Sequence, residues 1–180
     1  WNAKFIYASA ALIHGIKNKK ISLDSKITAD HPYIFSKYVC EQIILNSNIQ
    51  NCIIRIGGIY GYPGPAHLGL NKLISNALNN ITPKIIGSGS VKRNYIYVED
   101  VASFIMKILK ENISGIHLVA SNEILTIKQM IDKICDVFLD GERPVKIKNN
   151  SNFSQIIIPS KLLKCNYTFE EALIEIKNKI

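Results

Sequence analysis

The chain has 180 residues, 47% of them hydrophobic, which is ample for one domain and marginal for two. No apolar run approaches the ~18 residues of a membrane span, so a membrane protein is not expected. The net charge of +8 comes from 19 Lys and 3 Arg scattered along the chain, which makes nucleic-acid binding less probable than a basic cleft for a diphosphate substrate.

Cysteine and histidine are dispersed along the chain. The cysteines form no Cys-x-x-Cys pair and lie in apolar or mixed segments, at Cys40, Cys52, Cys135 and Cys165. We interpret them as reduced thiols of a cytoplasmic protein. The histidines are equally separate, at His14, His31, His67 and His117, so no metal site is predicted.

The first third of the chain predicts two buried strands and a helix between them, at Lys4–Ala8, Pro32–Leu45 and Cys52–Ile56. Residues 16–31 are polar and show no core pattern. Asp30 is a candidate N-cap of the helix, and a proline suits the first helical turn. The second strand ends in Gly57-Gly58. Two buried parallel strands separated by a helix indicate a βαβ unit.

The rest of the chain continues the alternation. Helices are predicted at Leu68–Leu78, Val101–Leu109, Ile127–Phe138 and Phe169–Ile180. Strands are predicted at Lys84–Ile86, Tyr95–Val98 and Ile116–Val119, with candidate edge strands at Val145–Ile147 and Ile156–Ile158. The pattern predicts an α/β protein with a partly parallel sheet. Such sheets bind ligands at the carboxyl ends of their strands, so the chemistry is expected near Ser9 and Gly57-Gly58.

Tyr33 and Lys37 are the candidate catalytic pair. They are four residues apart on the predicted helix and therefore share a face. A phenol in water titrates near a pKa of ~10, and a nearby ammonium favours the phenolate, so the pair is a plausible acid/base device. A chain of this composition contains roughly one Tyr-x-x-x-Lys by chance, so the weight comes from the placement between the two strands.

In this context Tyr33-x-x-Ser36-Lys37 resembles the active-site motif of the extended short-chain dehydrogenase/reductase family, which includes nucleotide-sugar epimerases and dehydratases. Further stretches resemble the family in order along the chain, at residues 5–15, at residues 55–61 (Arg-Ile-Gly-Gly-Ile-Tyr-Gly), at Gly87-Ser88-Gly89 with Arg93, and at residues 97–102. Ser160-Lys161 and the closing helix resemble its C-terminal tail. The resemblance covers nearly the whole chain.

The resemblance implies an incomplete Rossmann-like parallel sheet with a smaller α/β substrate-binding lobe. Residues 1–62 would be the C-terminal part of the NAD(P)-binding domain, and residues 63–180 mainly the substrate-binding lobe. Residues near 94–120 would return to the Rossmann sheet. The chain would then be the C-terminal portion of a longer cytoplasmic enzyme, a homodimer at full length and inactive as this piece alone.

The resemblance also implies a cofactor and catalytic roles. Tyr33 would move a proton at a sugar hydroxyl, with NAD or NADP as the hydride carrier. Lys37 would hold the nicotinamide ribose and support the phenolate. Ser9, Gly58 and Ile59 would line the cofactor.

The substrate implied is a nucleotide diphosphate sugar. Arg93 would bind its diphosphate, a task suited to a guanidinium. The main chain at Ile85 and Ile86 would flank its base.

Three departures from the family pattern leave alternatives open. Ala10 stands where the family has a Ser or Thr that hydrogen-bonds the reacting hydroxyl, and Gly58 stands where many members have a substrate-contacting Asn. The Gly-rich dinucleotide fingerprint is absent from this sequence. Ala10-Ala11, in place of the acid pair of a dehydratase, favours an epimerase or reductase. The rival interpretation is a non-catalytic member that acts as a cofactor-binding regulator or RNA-associated protein.

Overall fold

The structure, a computed structural model, describes residues 3–142, 144–147 and 153–180. Its α-helices are α1 (Pro32–Leu45), α2 (Gly69–Leu78), α3 (Val98–Lys110), α4 (Ile127–Phe138) and α5 (Phe169–Asn178). A 3₁₀ helix covers Ala11–His14. The strands are β1 (Phe5–Ala10), β2 (Lys20–Ile21), β3 (Asn51–Ile56), β4 (Ile59–Tyr60), β5 (Lys84–Ile86), β6 (Lys92–Arg93), β7 (Ile96–Tyr97), β8 (Gly115–Val119), β9 (Leu125–Thr126), β10 (Val145–Ile147) and β11 (Ile156–Ile157). Within these described ranges, no helix combines the length and apolarity that a membrane span needs.

The strands β1, β3 and β8 form a three-stranded parallel sheet in the order β1-β3-β8. Its register places Ser9 beside Arg55 and Arg55 beside Leu118. Helix α1 joins β1 to β3 and packs against both strands. The predicted α/β class with a parallel sheet is confirmed, and β8 brings residues 115–119 into the same sheet as the first two strands.

Apolar side chains form one core beside the sheet and a larger one among the helices α2, α4 and α5. One cluster lies between the sheet and α3 and includes Ile54, Phe104 and Val119. A larger cluster joins α2, α4 and α5 around Ile74 and Met130, away from the sheet. The predicted edge strands are confirmed as two-stranded parallel pairs, β10 with β5 and β11 with β2. The division of the chain at residue 62 stays a prediction.

Three local predictions were wrong. The N-cap of α1 is His31 rather than Asp30, because the residue immediately before Pro32 takes the extended conformation that proline imposes, and its Nδ1 accepts from the Tyr33 N–H. Residues 16–31 do contain a core residue, since Ile21 is fully buried in β2. Helix α3 starts at Val98, inside the predicted strand, and not at Val101.

A buried ion pair joins α1 to β3. The Arg55 guanidinium donates to both carboxylate oxygens of Glu41, from Nε to Oε1 at 3.1 Å and from Nη2 to Oε2 at 2.7 Å. Glu41 is 0% exposed and Arg55 is 4% exposed. Two parallel hydrogen bonds are the strongest geometry for such a pair, and both charges are compensated only while the helix stays on the strand.

Replacing Glu41 with Ala should therefore lower the free energy of unfolding by about 3–5 kcal/mol, since it leaves an uncompensated guanidinium in the interior. The matched control is Asp132→Ala, which breaks the ion pair with Lys128 on the outer side of α4 and should cost less than about 1 kcal/mol. Chemical denaturation of both variants measures the difference. Equal losses would show that the Glu41–Arg55 pair does not hold α1 against the sheet.

Candidate functional site

A cleft of about 730 Å³ opens at the carboxyl ends of β1 and β3. The segments after the two strands form its walls, together with part of α1, the start of α2 and the chain around β6. The lining residues are 8–12, Tyr33, Lys37, 56–59, 67–69, 93–95, Gln155 and Ile157. The cleft therefore lies where a parallel α/β sheet places its ligands.

Tyr33 and Lys37 reach this cleft from the first two turns of α1. Tyr33 is 53% exposed, so its phenol is accessible to a ligand. The Lys37 Nζ donates to the Ala8 carbonyl at 2.9 Å and lies 5.9 Å from the centroid of the Tyr33 ring. An ammonium has three donors, so this bond fixes the lysine at the end of β1 and leaves two donors for other groups.

Tyr7 is a second phenol beside Lys37, with its ring centroid 5.1 Å from Nζ. Burial, followed by a hydrogen bond with Cys40, raises the pKa of Tyr7 to about 12. Tyr7 is absent from the lining of the cleft. It therefore stays protonated beneath the lysine, and of the two phenols beside Lys37 only that of Tyr33 lines the cleft.

The predicted cofactor and diphosphate residues Gly58, Ile59 and Arg93 also line the cleft. The Arg93 Nη1 donates to the carbonyls of Lys92 at 2.9 Å and Phe153 at 2.8 Å. Burial lowers the pKa of the Arg93 guanidinium, but an arginine side chain keeps its charge in proteins. The guanidinium carries five N–H donors, so Nε and Nη2 are available to an anion.

Ser9 and Ala10 form the end of β1 at the cleft. Ala10 offers no polar group, and Ser9 is 4% exposed. The Ser9 Oγ is enclosed and has no hydrogen-bond partner among the residues that the structure describes. The accessible part of Ser9 is therefore not its hydroxyl, so this strand end presents no side-chain hydroxyl to the cleft.

Ile85 does not line the cleft. Ile85 is 1% exposed and packs in the core between β5 and α4. A ligand would have to extend beyond the cleft to touch the main chain there. The prediction that Ile85 and Ile86 flank a base stays untested.

A buried hydrogen-bond network lies behind the wall of the cleft. The Arg55 Nη1 lies 3.1 Å from the His14 Nε2, and the His14 Nδ1 lies 2.7 Å from the Ser25 carbonyl oxygen. Because a guanidinium can only donate and a carbonyl can only accept, His14 is the neutral tautomer with its proton on Nδ1. Burial, with a smaller contribution from Arg55, lowers the pKa of His14.

Several of these residues escaped prediction from the sequence. Glu41 and Arg55 left a weak signal, a lone cation in an apolar strand and a carboxylate one turn after Lys37. Three further residues line the cleft without any motif to mark them, His67, Tyr95 and Gln155. Within the described ranges, no group of three His, Cys, Asp or Glu side chains is arranged to hold a metal ion.

The chain is similar to a known protein family and to several solved structures. Residues 2–120 match the family described as the NAD dependent epimerase/dehydratase family. UDP-glucuronic acid 4-epimerase from Bacillus cereus, solved with NAD, is similar over 98% of this chain and 62% of its own, with a TM-score of 0.79 and 21% identity.

Two other solved structures share the similarity. dTDP-glucose 4,6-dehydratase from Bacillus anthracis, in complex with NAD, matches 97% of this chain and 60% of its own at a TM-score of 0.77 and 19% identity. RMD from Pseudomonas aeruginosa, complexed with NADPH, matches 99% and 65% at a TM-score of 0.78 and 16% identity. At these identities the likeness shows the fold, and the chain spans less than two thirds of each structure.

The network around His14 predicts a pH dependence of stability. The folded-state pKa of His14 lies below its ordinary value of 6.5, so the unfolded chain binds the extra proton first as the pH falls. The contribution of neutral His14 to the free energy of unfolding is present above pH 6.5 and is lost as the pH falls below that value. Denaturation between about pH 7 and pH 5 should show a smaller decline for His14→Gln than for the wild type. The control His67→Gln, at an exposed position, should keep the wild-type slope, and an unchanged slope in His14→Gln would contradict the assignment.

Proposed function

This chain belongs to the NAD-dependent epimerase/dehydratase family, and we propose that its cleft is the sugar-facing and nicotinamide-facing part of the active site of a nucleotide-sugar epimerase, dehydratase or reductase. The observation that carries the proposal is the convergence of Tyr33, Lys37, Gly58 and Arg93 on one cleft. An acid/base pair and an anion-binding group on the same cleft are what a redox step at the sugar of a nucleoside diphosphate sugar requires.

The residues around the cleft fit the nicotinamide end of NAD or NADP. The ends of β1 and β3 present main chain and small side chains to the cleft, and the Lys37 ammonium stands beside them. The enclosed Ser9 Oγ, without a partner among the described residues, is a polar atom next to the surface that a cofactor would cover. When bound, the cofactor supplies the acceptor and donor of a hydride at a sugar carbon.

Tyr33 is the proposed acid/base. Its exposed phenol would take the proton of the sugar hydroxyl as that carbon is oxidised, and return it when the carbon is reduced. Lys37, fixed by the Ala8 carbonyl, would use its remaining donors for the cofactor ribose. Tyr7 would stay protonated below and take no part in the proton transfer.

Arg93 is the proposed diphosphate ligand. Its Nη1 is engaged by two main-chain carbonyls, which hold the guanidinium plane in one orientation. Its other edge would then offer Nε and Nη2 to phosphate oxygens without further loss of side-chain freedom. Ile85 and Ile86 would contact the base if the nucleotide extends along β5.

The reaction subtype follows from the end of β1. Ala10 and Ala11 offer no acidic group and no hydroxyl, so elimination of water from the sugar would have no proton donor at this position. We therefore favour epimerisation or reduction over dehydration.

The proposal includes a cytoplasmic homodimer, for which the outer face of α1 offers the exposed side chains Phe35, Val39 and Ile43.

The second candidate is a non-catalytic, cofactor-binding regulator. Ala10 and the +8 charge favour it, whereas the accessible Tyr33 and the positioned Lys37 favour an enzyme. The two functions differ in one observable property, which is the transfer of a labelled hydride from a nucleotide sugar to the cofactor and back.

Replacing Tyr33 with Phe in the cofactor-loaded protein should reduce turnover of UDP- and dTDP-hexoses by about 10²–10⁴-fold, the usual contribution of a positioned acid/base. Chromatographic separation of the product sugar nucleotide from the substrate measures the turnover, and deuterium retained at the reacting carbon of the product reports the hydride transfer. The matched control is Tyr38→Phe, one helical turn away and outside the cleft lining, which should stay close to wild type.

A Phe variant within a few-fold of the wild type would remove Tyr33 from the proposed role. A wild-type protein that binds the cofactor but transfers no label with any of these sugars would favour the regulator.

A further inference from the structure

The ring of Tyr95 occupies the space of a side chain at position 58. A Cβ built on Gly58 would lie 2.4 Å from the Tyr95 Cδ1 and 2.5 Å from its Cε1. Real Cβ atoms do not approach other atoms so closely, so the Tyr95 ring would have to shift to make room for one. The φ of Gly58 lies outside the left-handed region, so steric contact with the ring is what excludes a larger residue here.

Hydrogen bonds on both sides hold the glycine and the ring together. The Ile96 N–H donates to the Gly58 carbonyl at 2.8 Å, and Ile59 pairs with Ile96 between β4 and β7. On the other side of Tyr95, the buried Asn94 side chain donates to the carbonyls of Ser121 and Ile157, each at 2.8 Å. These bonds fix the main chain on both sides of Tyr95 and so place its ring beside Gly58.

The consequence for the cleft is a change of surface chemistry. Both residues line it, so the wall at position 58 is an aromatic ring rather than a flexible polar side chain. Burial raises the pKa of Tyr95, so the ring carries a neutral phenol. An aromatic face has a negative quadrupole and suits apolar surface and C–H groups better than it suits phosphate oxygens.

We propose that Gly58 and Tyr95 act as one specificity element, in which the Tyr95 ring packs against the C–H face of the substrate's sugar ring. This inference rests on the proposed function. Tyr95 is two residues from the proposed diphosphate ligand Arg93, and it shares the cleft with Tyr33 and Lys37, where the reacting carbon would lie. The group of a nucleotide sugar that spans those two points is the sugar.

A double-mutant cycle of thermal stability tests whether the Tyr95 ring occupies the space of a side chain at position 58. Gly58→Ala should lower the melting temperature by about 5 °C in the wild type, and by less than about 2 °C in a Tyr95→Ala background. Gly69→Ala is the matched control, since no atom lies within 4 Å of its added Cβ, and it should not lower the melting temperature. Equal costs of Gly58→Ala in both backgrounds, or none in the wild type, would overturn the coupling.

The ligand half is tested by calorimetry with Tyr95→Phe and Tyr95→Leu, which keep an apolar side chain and hence the fold. Tyr95→Leu should weaken binding of UDP-glucuronic acid or dTDP-glucose about fivefold and leave binding of UDP and dTDP within about twofold. Tyr95→Phe should bind all four ligands as the wild type does. Equal weakening of sugar nucleotides and free diphosphates, or no weakening, would overturn the assignment to the sugar.

Failure of the proposed function gives a different result. A wild-type protein that binds none of the four ligands would contradict that function and, with it, the sugar contact. The stability cycle would still decide whether Tyr95 replaces a side chain at position 58.

Discussion

The cleft depends on the buried Glu41–Arg55 ion pair and on His14, which accepts a further hydrogen bond from the same guanidinium. These residues belong to α1, to β3 and to the segment after β1, which are also the elements that form three walls of the cleft. Two charges enclosed in the interior are tolerated only while their geometry is kept. The requirement that both stay compensated therefore fixes the helix that carries Tyr33 and Lys37 relative to the strand that ends in Gly58.

Some polar side chains bind one another in the interior, and others line the cleft and can bind a ligand. Glu41, Arg55 and His14 satisfy one another behind the wall, whereas Tyr33, Lys37 and Arg93 keep donors that face the cleft. A single main-chain bond orients Lys37, and two orient Arg93. Such preorganisation spares the cost of ordering long side chains when a ligand binds. The chain thus positions one cation, Lys37, at the proposed site of the cofactor ribose and another, Arg93, at the proposed site of the diphosphate.

The sequence was sufficient to predict features that depend on local periodicity. The α/β alternation, the parallel strands around α1 and the shared face of Tyr33 and Lys37 all follow from strand and helix repeats. Contacts between distant segments were not predictable, because no local pattern encodes them. The Tyr95 ring over Gly58 and the bond from Arg55 to His14 are of this kind. Helices α1, α4 and α5 begin at the predicted residues, whereas the start of α2 was missed by one residue and that of α3 by three.

A crystal structure of the protein with its cofactor and UDP-glucuronic acid is the most direct measurement of whether the cleft is a nucleotide-sugar site. The predicted result places a sugar hydroxyl within about 2.6–3.2 Å of the Tyr33 phenol, the reach of a general acid/base. It also places the diphosphate against the guanidinium of Arg93 and the sugar ring on Tyr95. A ligand that binds outside the cleft, or a sugar whose hydroxyls all lie away from Tyr33, would contradict the proposal that the cleft is a nucleotide-sugar site.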